Sequence, residues 1–359
     1  MIPPAVSVCL PVYNGERFLS AAIESVLGQT FDDFELVVVD DNSSDRSAEI
    51  TADFACRDSR VRLYHNDTNL GLFFNYNKCM ELSAGRYIKP FAQDDLLCQS
   101  ALARMVQELD TRDNVSLVAC TREYVDAQGQ SVEIQRCFEK DQECDGQIQA
   151  VQMLSNISNQ IGEPCAVMYR AEHKGTGFAA ELPQLGDIEY WVRLLQQGRL
   201  FFISDVLCKF RLHSGNQTRK NIASFDYFAD MMIVKERYGE FLAQCGISNE
   251  EFTRRILLKV TELIHYADGI GIDFSRSDFS ALSRRPQELG QLLVDLLQRL
   301  AAIEPEYLSL RSRLPVLEEG NSRLHGELSS LVNSPSWRLT AGLRNLKRIT
   351  AALLGAGSK

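Results

Sequence analysis

The first hundred residues alternate short apolar runs with segments of helical periodicity, and this alternation constrains the fold more than any other feature. Runs rich in β-branched and aromatic residues predict four strands, at Val6–Leu10, Phe34–Val39, Val61–His65 and Arg86–Phe91. Helical spacing of apolar residues fills the gaps, at Arg17–Gly28, Ser44–Cys56 and Leu72–Ser83. Strands joined through helices form right-handed crossovers. The sequence therefore predicts an α/β fold with a mainly parallel sheet flanked by helices.

Two local signals support these helix boundaries. The segment 41–45 (DNSSD) offers side chains that cap a helix start, and Gly85 follows a predicted helix as a stop.

The pattern changes after about residue 115. Strands are predicted at Ser116–Cys120 and Pro164–Tyr169, and Leu200–Phe210 reads as one bent strand or two short ones. Helical spacing marks five further segments, Gln147–Ile157, Asp187–Gln197, Phe225–Tyr238, Glu250–Tyr266 and Pro286–Ile303. We therefore expect a sheet domain over 1–220, a helical extension over 221–304, and a short coiled-coil-like segment with a basic tail over 305–359.

Composition limits the classes of function. Hydrophobic residues at 45% and charged residues at 24% are typical of a folded soluble chain of 359 residues. The formal net charge of -10 argues against charge-driven binding of nucleic acid. The 10 cysteines form no CxxC pair and no zinc-type spacing, so we expect reduced, packed thiols. We expect no export signal and no membrane span, because no leader pattern or run of about 18 apolar residues occurs.

The tail from 335 to 359 differs from the rest of the chain in charge. It carries five basic residues and no acidic one, interleaved with Trp337 and several leucines. This pattern is typical of a helix that lies on an anionic membrane surface. Packing of the same helix against the acidic remainder of the chain is an equal alternative.

Two acidic pairs stand directly after predicted strands. Asp40-Asp41 follows the second strand and Asp94-Asp95 follows the fourth. In open α/β sheets ligands bind beyond the carboxyl ends of the strands. Paired carboxylates there suit Mg²⁺ or Mn²⁺ bound to a diphosphate, since the chain lacks GxxxxGK[ST] and GxGxxG loops. The alternative is that each pair only caps the next helix.

Several motifs, taken in order over residues 6–96, resemble those of the family 2 glycosyltransferases, which have the GT-A fold. They are Pro11-Val12-Tyr13-Asn14, Ser25-Val26-Leu27-Gly28-Gln29-Thr30, Glu35–Asp41 with Asn42-Ser43-Ser44-Asp45, Asn69-Leu70-Gly71, Asn77, Ala84-Gly85-Arg86-Tyr87-Ile88 and Gln93-Asp94-Asp95. The resemblance implies a Rossmann-like GT-A domain that transfers a sugar, with inversion, from a nucleotide-diphosphate sugar.

The resemblance also implies roles for the donor side. Pro11, Tyr13 and Asp40 would line the nucleobase and ribose pocket. Asp94 would face the ribose, and Asp95 would bind Mn²⁺ or Mg²⁺.

Two departures from the family pattern concern these contacts. Gln93 stands where the first acid of a D-x-D motif is common, and Tyr76 replaces an arginine that is frequent before the asparagine.

A second part of the resemblance covers Gly186–Leu194, which is similar to the acidic segment that carries the catalytic base. It implies that Asp187 deprotonates the acceptor hydroxyl, although Gly186 replaces the usual glutamate. The alternative for Asp187 is a helix N-terminal carboxylate.

Further site residues are expected around this base and the diphosphate. The resemblance implies that His213 coordinates the metal or contacts the diphosphate, and Arg219 would neutralise phosphate charge. Glu163 and Trp191 are expected near the acceptor, with a packed core aromatic as the favoured alternative for Trp191.

The expected function is an inverting, metal-dependent glycosyltransferase with a UDP-type donor and a saccharide or lipid-linked saccharide acceptor. The 334–344 segment resembles tails of bacterial surface-polysaccharide enzymes, which implies a cytoplasmic protein, peripheral to the inner face of the membrane if the tail binds lipid. Two alternatives remain, a sugar nucleotidyltransferase and a non-catalytic glycosyltransferase-like scaffold.

Overall fold

The computed structural model describes residues 3–213, 215–223 and 226–269. Its strands are β1 (Val6–Val12), β2 (Phe34–Asp40), β3 (Val61–His65), β4 (Tyr87–Pro90), β5 (Leu96–Leu97), β6 (Val115–Val125), β7 (Ser131–Gln135), β8 (Gln142–Cys144), β9 (Val167–Arg170) and β10 (Arg199–Arg211). Its helices are α1 (Leu19–Leu27), α2 (Ser47–Arg57), α3 (Leu72–Leu82), α4 (Ala101–Thr111), α5 (Gly146–Asn156), α6 (Gly186–Leu195), α7 (Gln217–Ala223), α8 (Asp226–Gln244) and α9 (Asn249–Gly269). The predicted helix Pro286–Ile303 and the segment 305–359 lie outside the described residues.

All ten strands belong to one sheet, ordered β3-β2-β1-β4-β9-β6-β10-β5, with β7 beside β6 and β8 beside β10. Strands β1 to β4, β6 and β10 run in one direction. Strands β5, β7, β8 and β9 run in the opposite direction. The predicted mainly parallel α/β sheet is therefore confirmed. The six codirectional strands end on one side of the sheet, which we call the carboxyl edge, where ligands bind in such folds.

Helices cover both faces of this sheet because its strands are apolar on both faces. Val6, Val8 and Leu10 of β1 belong to a buried cluster with residues of α1 and α4. The intervening Cys9 faces the opposite side, where its Sγ lies 3.2 Å from Ser83 Oγ at the end of α3. The sheet thus forms the middle of three layers.

The largest differences from the predicted elements lie after residue 90. The segment Leu200–Phe210 is one bent strand, β10, whose pairing with β6 shifts register between Ile203 and Cys208. Pro164–Ala166 forms a 3-10 turn, and the strand β9 begins only at Val167. The sequence analysis did not predict α4, α7, β5, β7 or β8. Strand β5 and strand β8 are very short, whereas α4 does have a helical apolar spacing, at Ala101, Leu102, Met105, Val106 and Leu109, that the analysis missed.

Gly85 does not end α3, which closes at Ser83. A Cβ on Gly85 would lie 2.5 Å from the backbone nitrogen of Ser7 in β1. The glycine is therefore needed for close approach of two backbones and not as a helix stop.

Helix α8 contacts the segment that begins α6. Asp230 Oδ2 accepts hydrogen bonds from the backbone N–H groups of Gln184 and Leu185, at 2.7 and 2.9 Å. Tyr238 and Arg237 donate to the buried Glu189 in α6, at 2.9 Å each. The described part of the predicted helical extension thus stabilises the position of α6. Among the described helices none is long and apolar enough to cross a bilayer.

Candidate active site

Three polar residues lie at the ends of three adjacent strands of the carboxyl edge. Tyr13 follows β1, Asp40 ends β2, and Asp94 follows β4. The Gln93 side chain connects the loop after β4 to the end of β1. Its Oε1 accepts from Tyr13 N–H at 2.9 Å, and its Nε2 donates to Tyr13 O at 3.0 Å. Gln93 therefore positions the loop that carries Asp94 and leaves the Tyr13 ring 48% exposed.

The loops after β1 and β2 interlock beside this group. Asn14 N–H donates to Ser43 Oγ at 3.0 Å, and Ser44 N–H donates to Asn14 Oδ1 at 2.8 Å. Asp45 precedes Arg46, the N-cap residue of α2. Its Oδ1 accepts from Ser47 N–H at 2.9 Å, and its Oδ2 accepts from Glu16 N–H at 3.0 Å. The predicted capping segment thus also fixes the neighbouring loop.

The two carboxylates after β2 have different surroundings. Asp41 accepts from Asn66 Nδ2 at 2.7 Å and from the N–H groups of Leu70 and Gly71 at 2.9 Å each, so it orders the loop before α3. Asp40 accepts only from Ser43 N–H, at 3.2 Å on Oδ2, and its buried Oδ1 makes no hydrogen bond within the described residues. Asp40 therefore keeps an oxygen for a ligand.

The structure brings Asp94 and His213 together across 119 positions of sequence. His213 Nε2 lies 2.8 Å from Asp94 Oδ2, and its Nδ1 accepts from Gly215 N–H at 3.1 Å. The Phe18 ring packs against the imidazole, with centroids 5.1 Å apart. This carboxylate and imidazole form a candidate donor set for a divalent cation.

The metal role expected of Asp95 stays a prediction; its Oδ2 makes no hydrogen bond within the described residues. Its side chain is buried, and Oδ1 accepts from Arg211 N–H at 2.9 Å. Burial, followed by the nearby charge of Asp94, raises the pKa of the Asp95 carboxyl well above its usual value. Asp94, and not Asp95, is the acid beside His213, because the residue immediately before β5 is held inward by β10.

Arg211 is a site residue that the sequence analysis did not identify. Besides its N–H bond to Asp95, its Nε donates to Asp94 O at 2.9 Å and its Nη1 donates to Asp126 O at 3.2 Å. It thereby joins the ends of β4, β6 and β10. Its place directly after the predicted strand Leu200–Phe210, two positions before His213, is the only signal that the sequence offers.

Asp187 lies in the first turn of α6, as predicted. Its Oδ1 accepts from Ile188 N–H and its Oδ2 from Asn159 Nδ2, both at 2.7 Å. Burial of the carboxyl is the main cause that raises its pKa to about 7; the Ile188 bond opposes this and the charge of Glu163 adds to it. A carboxylate with this pKa is suited to accept a proton near neutral pH.

The packing explains why Gly186 replaces the usual glutamate. A Cβ on Gly186 would lie 2.5 Å from Cε2 of Phe73 in α3. The Phe73 ring occupies the space that a side chain at 186 would need.

Glu163 is committed to protein contacts. It forms an ion pair with the buried Arg122, with Nε and Oε2 2.5 Å apart, and its Oε1 accepts from Tyr124 OH at 2.8 Å. Its charge also raises the pKa of the nearby Asp187, and its expected contact with the acceptor stays a prediction.

Trp191, which was also expected near the acceptor, lies in the core instead. The ring is fully buried and packs beside Tyr169, Phe178 and Tyr190. Its Nε1 donates to Gly162 O at 3.0 Å. Trp191 is thus a core aromatic, the alternative that the sequence analysis favoured, and it offers no face to a sugar.

The remaining predicted residues are placed as follows. Pro11 is buried in β1, and Tyr76 is buried with its OH donating to Phe91 O at 3.1 Å. Arg219 lies in α7, and its side chain is outside the described part of the structure. Within the described ranges no three side chains of the metal-ligating types come together.

Comparison with known proteins gives consistent matches. A sequence profile described as glycosyl transferase family 2 matches residues 7–173. An uncharacterized protein of Mycobacterium tuberculosis is 31% identical over 230 residues, which covers 62% of this chain and 71% of that protein. An uncharacterized glycosyltransferase of Haemophilus influenzae is 26% identical over 268 residues, which covers 72% of this chain and 80% of that protein.

Two solved structures share the fold. TarS 1-349 of S. aureus in complex with UDP-GlcNAc has a TM-score of 0.53 at 16% identity and covers 85% of this chain and 91% of its own. The mannosyltransferase PcManGT from Pyrobaculum calidifontis, in complex with GDP-Man and Mn²⁺, has a TM-score of 0.52 at 15% identity, with coverages of 90% and 89%.

Proposed function

Since this chain belongs to the family 2 glycosyltransferases, we propose that it transfers a sugar from a UDP-type nucleotide sugar to a hydroxyl acceptor in cell-surface polysaccharide synthesis, with inversion. One observation carries the proposal: Tyr13, Asp40 and Asp94 stand at the carboxyl ends of three adjacent parallel strands. TarS was solved with UDP-GlcNAc and PcManGT with GDP-Man and Mn²⁺, which supports a nucleotide-sugar donor.

The donor side offers groups for each part of such a molecule. The exposed Tyr13 ring and the unpaired Asp40 Oδ1 suit a nucleoside, the oxygen accepting from a base N–H or a ribose hydroxyl. Asp94 and His213 would hold Mn²⁺ or Mg²⁺, since few protein ligands are needed when phosphate oxygens complete the shell. A bound cation supplies stabilisation of the charge that develops on the leaving diphosphate.

The acceptor side works through Asp187. Its carboxylate takes the proton of the acceptor hydroxyl as the oxygen attacks the anomeric carbon from the side opposite the diphosphate. Asn159 and Ile188 N–H hold the carboxylate in place during this transfer. A second carboxylic acid, which glycosidases use to protonate the leaving oxygen, is not required for a diphosphate.

Donor turnover tests the proposal. The protein is incubated with Mn²⁺ and UDP-, GDP- or dTDP-sugars, and proton NMR follows the nucleoside diphosphate and the anomer of the released sugar. We expect slow hydrolysis of one donor class to the inverted anomer. Retention of the anomer would contradict inversion. Pyrophosphate release from a nucleoside triphosphate and a sugar phosphate would show the nucleotidyltransferase, and absence of both turnover and nucleotide binding would show the scaffold.

We further propose a cytoplasmic protein whose basic tail, 335–359, contacts the inner face of the membrane. The proposal rests on the sequence of the tail, which lies outside the described residues. Sedimentation with vesicles that contain anionic lipid tests it, and a chain ending at residue 334 should lose the binding.

A further inference from the structure

A polar cavity lies next to the proposed base. Its volume is about 370 Å³, and its walls come from β6, from the end of β7 with the two residues after it, and from the loop after α5. It is lined by Arg122, Gln135, Arg136, Cys137, Ser158, Asn159 and Gln160. This volume falls within the range of small-molecule sites, at its lower end.

The lining contains two guanidinium groups and no carboxylate. Glu163, which pairs with Arg122 through Nε, is not part of the lining. Arg122 is only 4% exposed, and its Nη1 makes no hydrogen bond of normal geometry within the described ranges. Arg136 is held by Glu139 at 3.1 Å, in a pair whose glutamate side chain is 83% exposed, so that the pair is weak. Both arginines can therefore donate to an anionic ligand.

Asn159 connects this cavity to Asp187. Its Nδ2 donates to Asp187 Oδ2 at 2.7 Å and to Gly162 O at 2.9 Å, while its Oδ1 accepts from Gly162 N–H at 2.9 Å. The amide orientation is thus fixed by one backbone residue. Asn159 therefore both lines the cavity and holds the proposed base through its side chain, so the cavity adjoins the residue that holds the base.

We propose that this cavity is an acceptor subsite and that it takes an anionic saccharide, one that carries a carboxylate or a phosphate. The proposal rests on the proposed glycosyltransferase function. Arg122 and Arg136 bind the anionic group, and the amides of Gln135 and Gln160 bind sugar hydroxyls. The position beside Asn159 brings an acceptor hydroxyl towards Asp187.

Three simple sugars test the charge requirement on the full chain with UDP and Mn²⁺. Glucuronate, glucose 6-phosphate and glucose are titrated by saturation-transfer NMR. At least one anionic sugar should bind about tenfold more tightly than glucose, as expected of a charge-assisted arginine contact. Tighter binding of glucuronate assigns a carboxylate, and tighter binding of glucose 6-phosphate assigns a phosphate. Equal binding of all three sugars overturns the proposal.

Variants locate the binding in this cavity. Arg136→Gln should weaken the preferred anionic sugar about tenfold and leave glucose unchanged. Arg254→Gln is the matched control, because Arg254 also forms a partly exposed i,i+3 pair, with Glu251 at 2.7 Å, and is not a lining residue of the cavity. Unchanged binding in Arg136→Gln, or an equal loss in Arg254→Gln, overturns the assignment.

Donor hydrolysis separates this proposal from the one on which it rests. If the protein hydrolyses a nucleotide sugar but no anionic sugar binds preferentially, the subsite is wrong and the proposed function stands. If anionic sugars bind but no donor is turned over, the proposed function fails and the acceptor role of the cavity fails with it.

Discussion

The donor side and the base side of the proposed site are built in different ways. On the donor side, Asp40 ends β2 and Asp94 lies in the loop after β4, so the carboxyl edge of the sheet carries both. Asp40 accepts from Ser43 N–H, and Asp94 contacts Arg211 and His213. On the base side, Asp187 lies in the first turn of α6 and is held by Asn159, 28 positions earlier in the chain. Glu163 lies in a loop and is held by Arg122 of β6. The comparison predicts that changes on the donor side alter affinity, whereas changes on the base side alter rate and stability.

The largest expected effect separates rate from affinity. Asp187→Asn should lower the rate of transfer about 10²- to 10⁴-fold, because the amide cannot accept the proton, while donor affinity stays unchanged. Rates of donor turnover and calorimetric titration of nucleotide measure the two quantities. Asp205→Asn, at an exposed carboxylate, is the control. Near-normal turnover would remove Asp187 from its role, and a parallel loss of donor affinity would break the division between the two sides.

The next effect concerns stability. Glu163→Gln leaves the buried Arg122 guanidinium without its ion-pair partner and should lower the free energy of unfolding by about 3 kcal/mol. Urea unfolding measures it. The double variant Arg122→Met with Glu163→Gln should recover most of the loss, because no unpaired charge remains buried. An unchanged stability in the single variant would mean that the ion pair does not support the base side.

The two sides also differ in what the sequence could predict. Asp40 follows an apolar run directly, and Tyr13 and Asp94 each come three positions after one, so parallel-sheet topology predicts that they lie at one edge of the sheet. Asn159 and Arg122 gave no signal, because their contacts with Asp187 and Glu163 depend on how β6, the loop after α5 and α6 pack. The surroundings of Asp95 could not be predicted for the same reason, because its burial and its bond from Arg211 N–H depend on how β10 packs. Local chain order thus predicts the fold and the donor edge, and packing decides the rest.

A smaller effect tests the packing of α6. Gly186→Ala should lower the free energy of unfolding by about 2 kcal/mol, since the new Cβ would meet the Phe73 ring. Adding Phe73→Leu should relieve part of this cost. Thermal unfolding of the single and double variants measures the change in stability. An unchanged stability in Gly186→Ala would show that the Phe73 ring can move without cost.

The pH dependence is the smallest of these effects. Because Asp187 acts as a base only when ionised, and its pKa is about 7, kcat/KM should rise about tenfold from pH 6 to pH 8 and then level off. The affinity for the donor nucleotide should not change with the ionisation of Asp187. Titrations of nucleotide at several pH values check this. A rate that is constant between pH 6 and pH 8 would contradict the raised pKa of the base.

Nucleotide-dependent unfolding tests the central claim, a donor site at the ends of β1, β2 and β4, most directly. UDP, GDP, dTDP and CMP are each added with and without Mn²⁺, and the unfolding of the wild type, Asp94→Ala and the surface control Asp53→Ala is compared. One diphosphate with Mn²⁺ should raise the free energy of unfolding by about 2.7 kcal/mol at a hundredfold excess over Kd, in the wild type and in Asp53→Ala only. The absence of a shift with every nucleotide, or an equal shift in Asp94→Ala, would contradict the account.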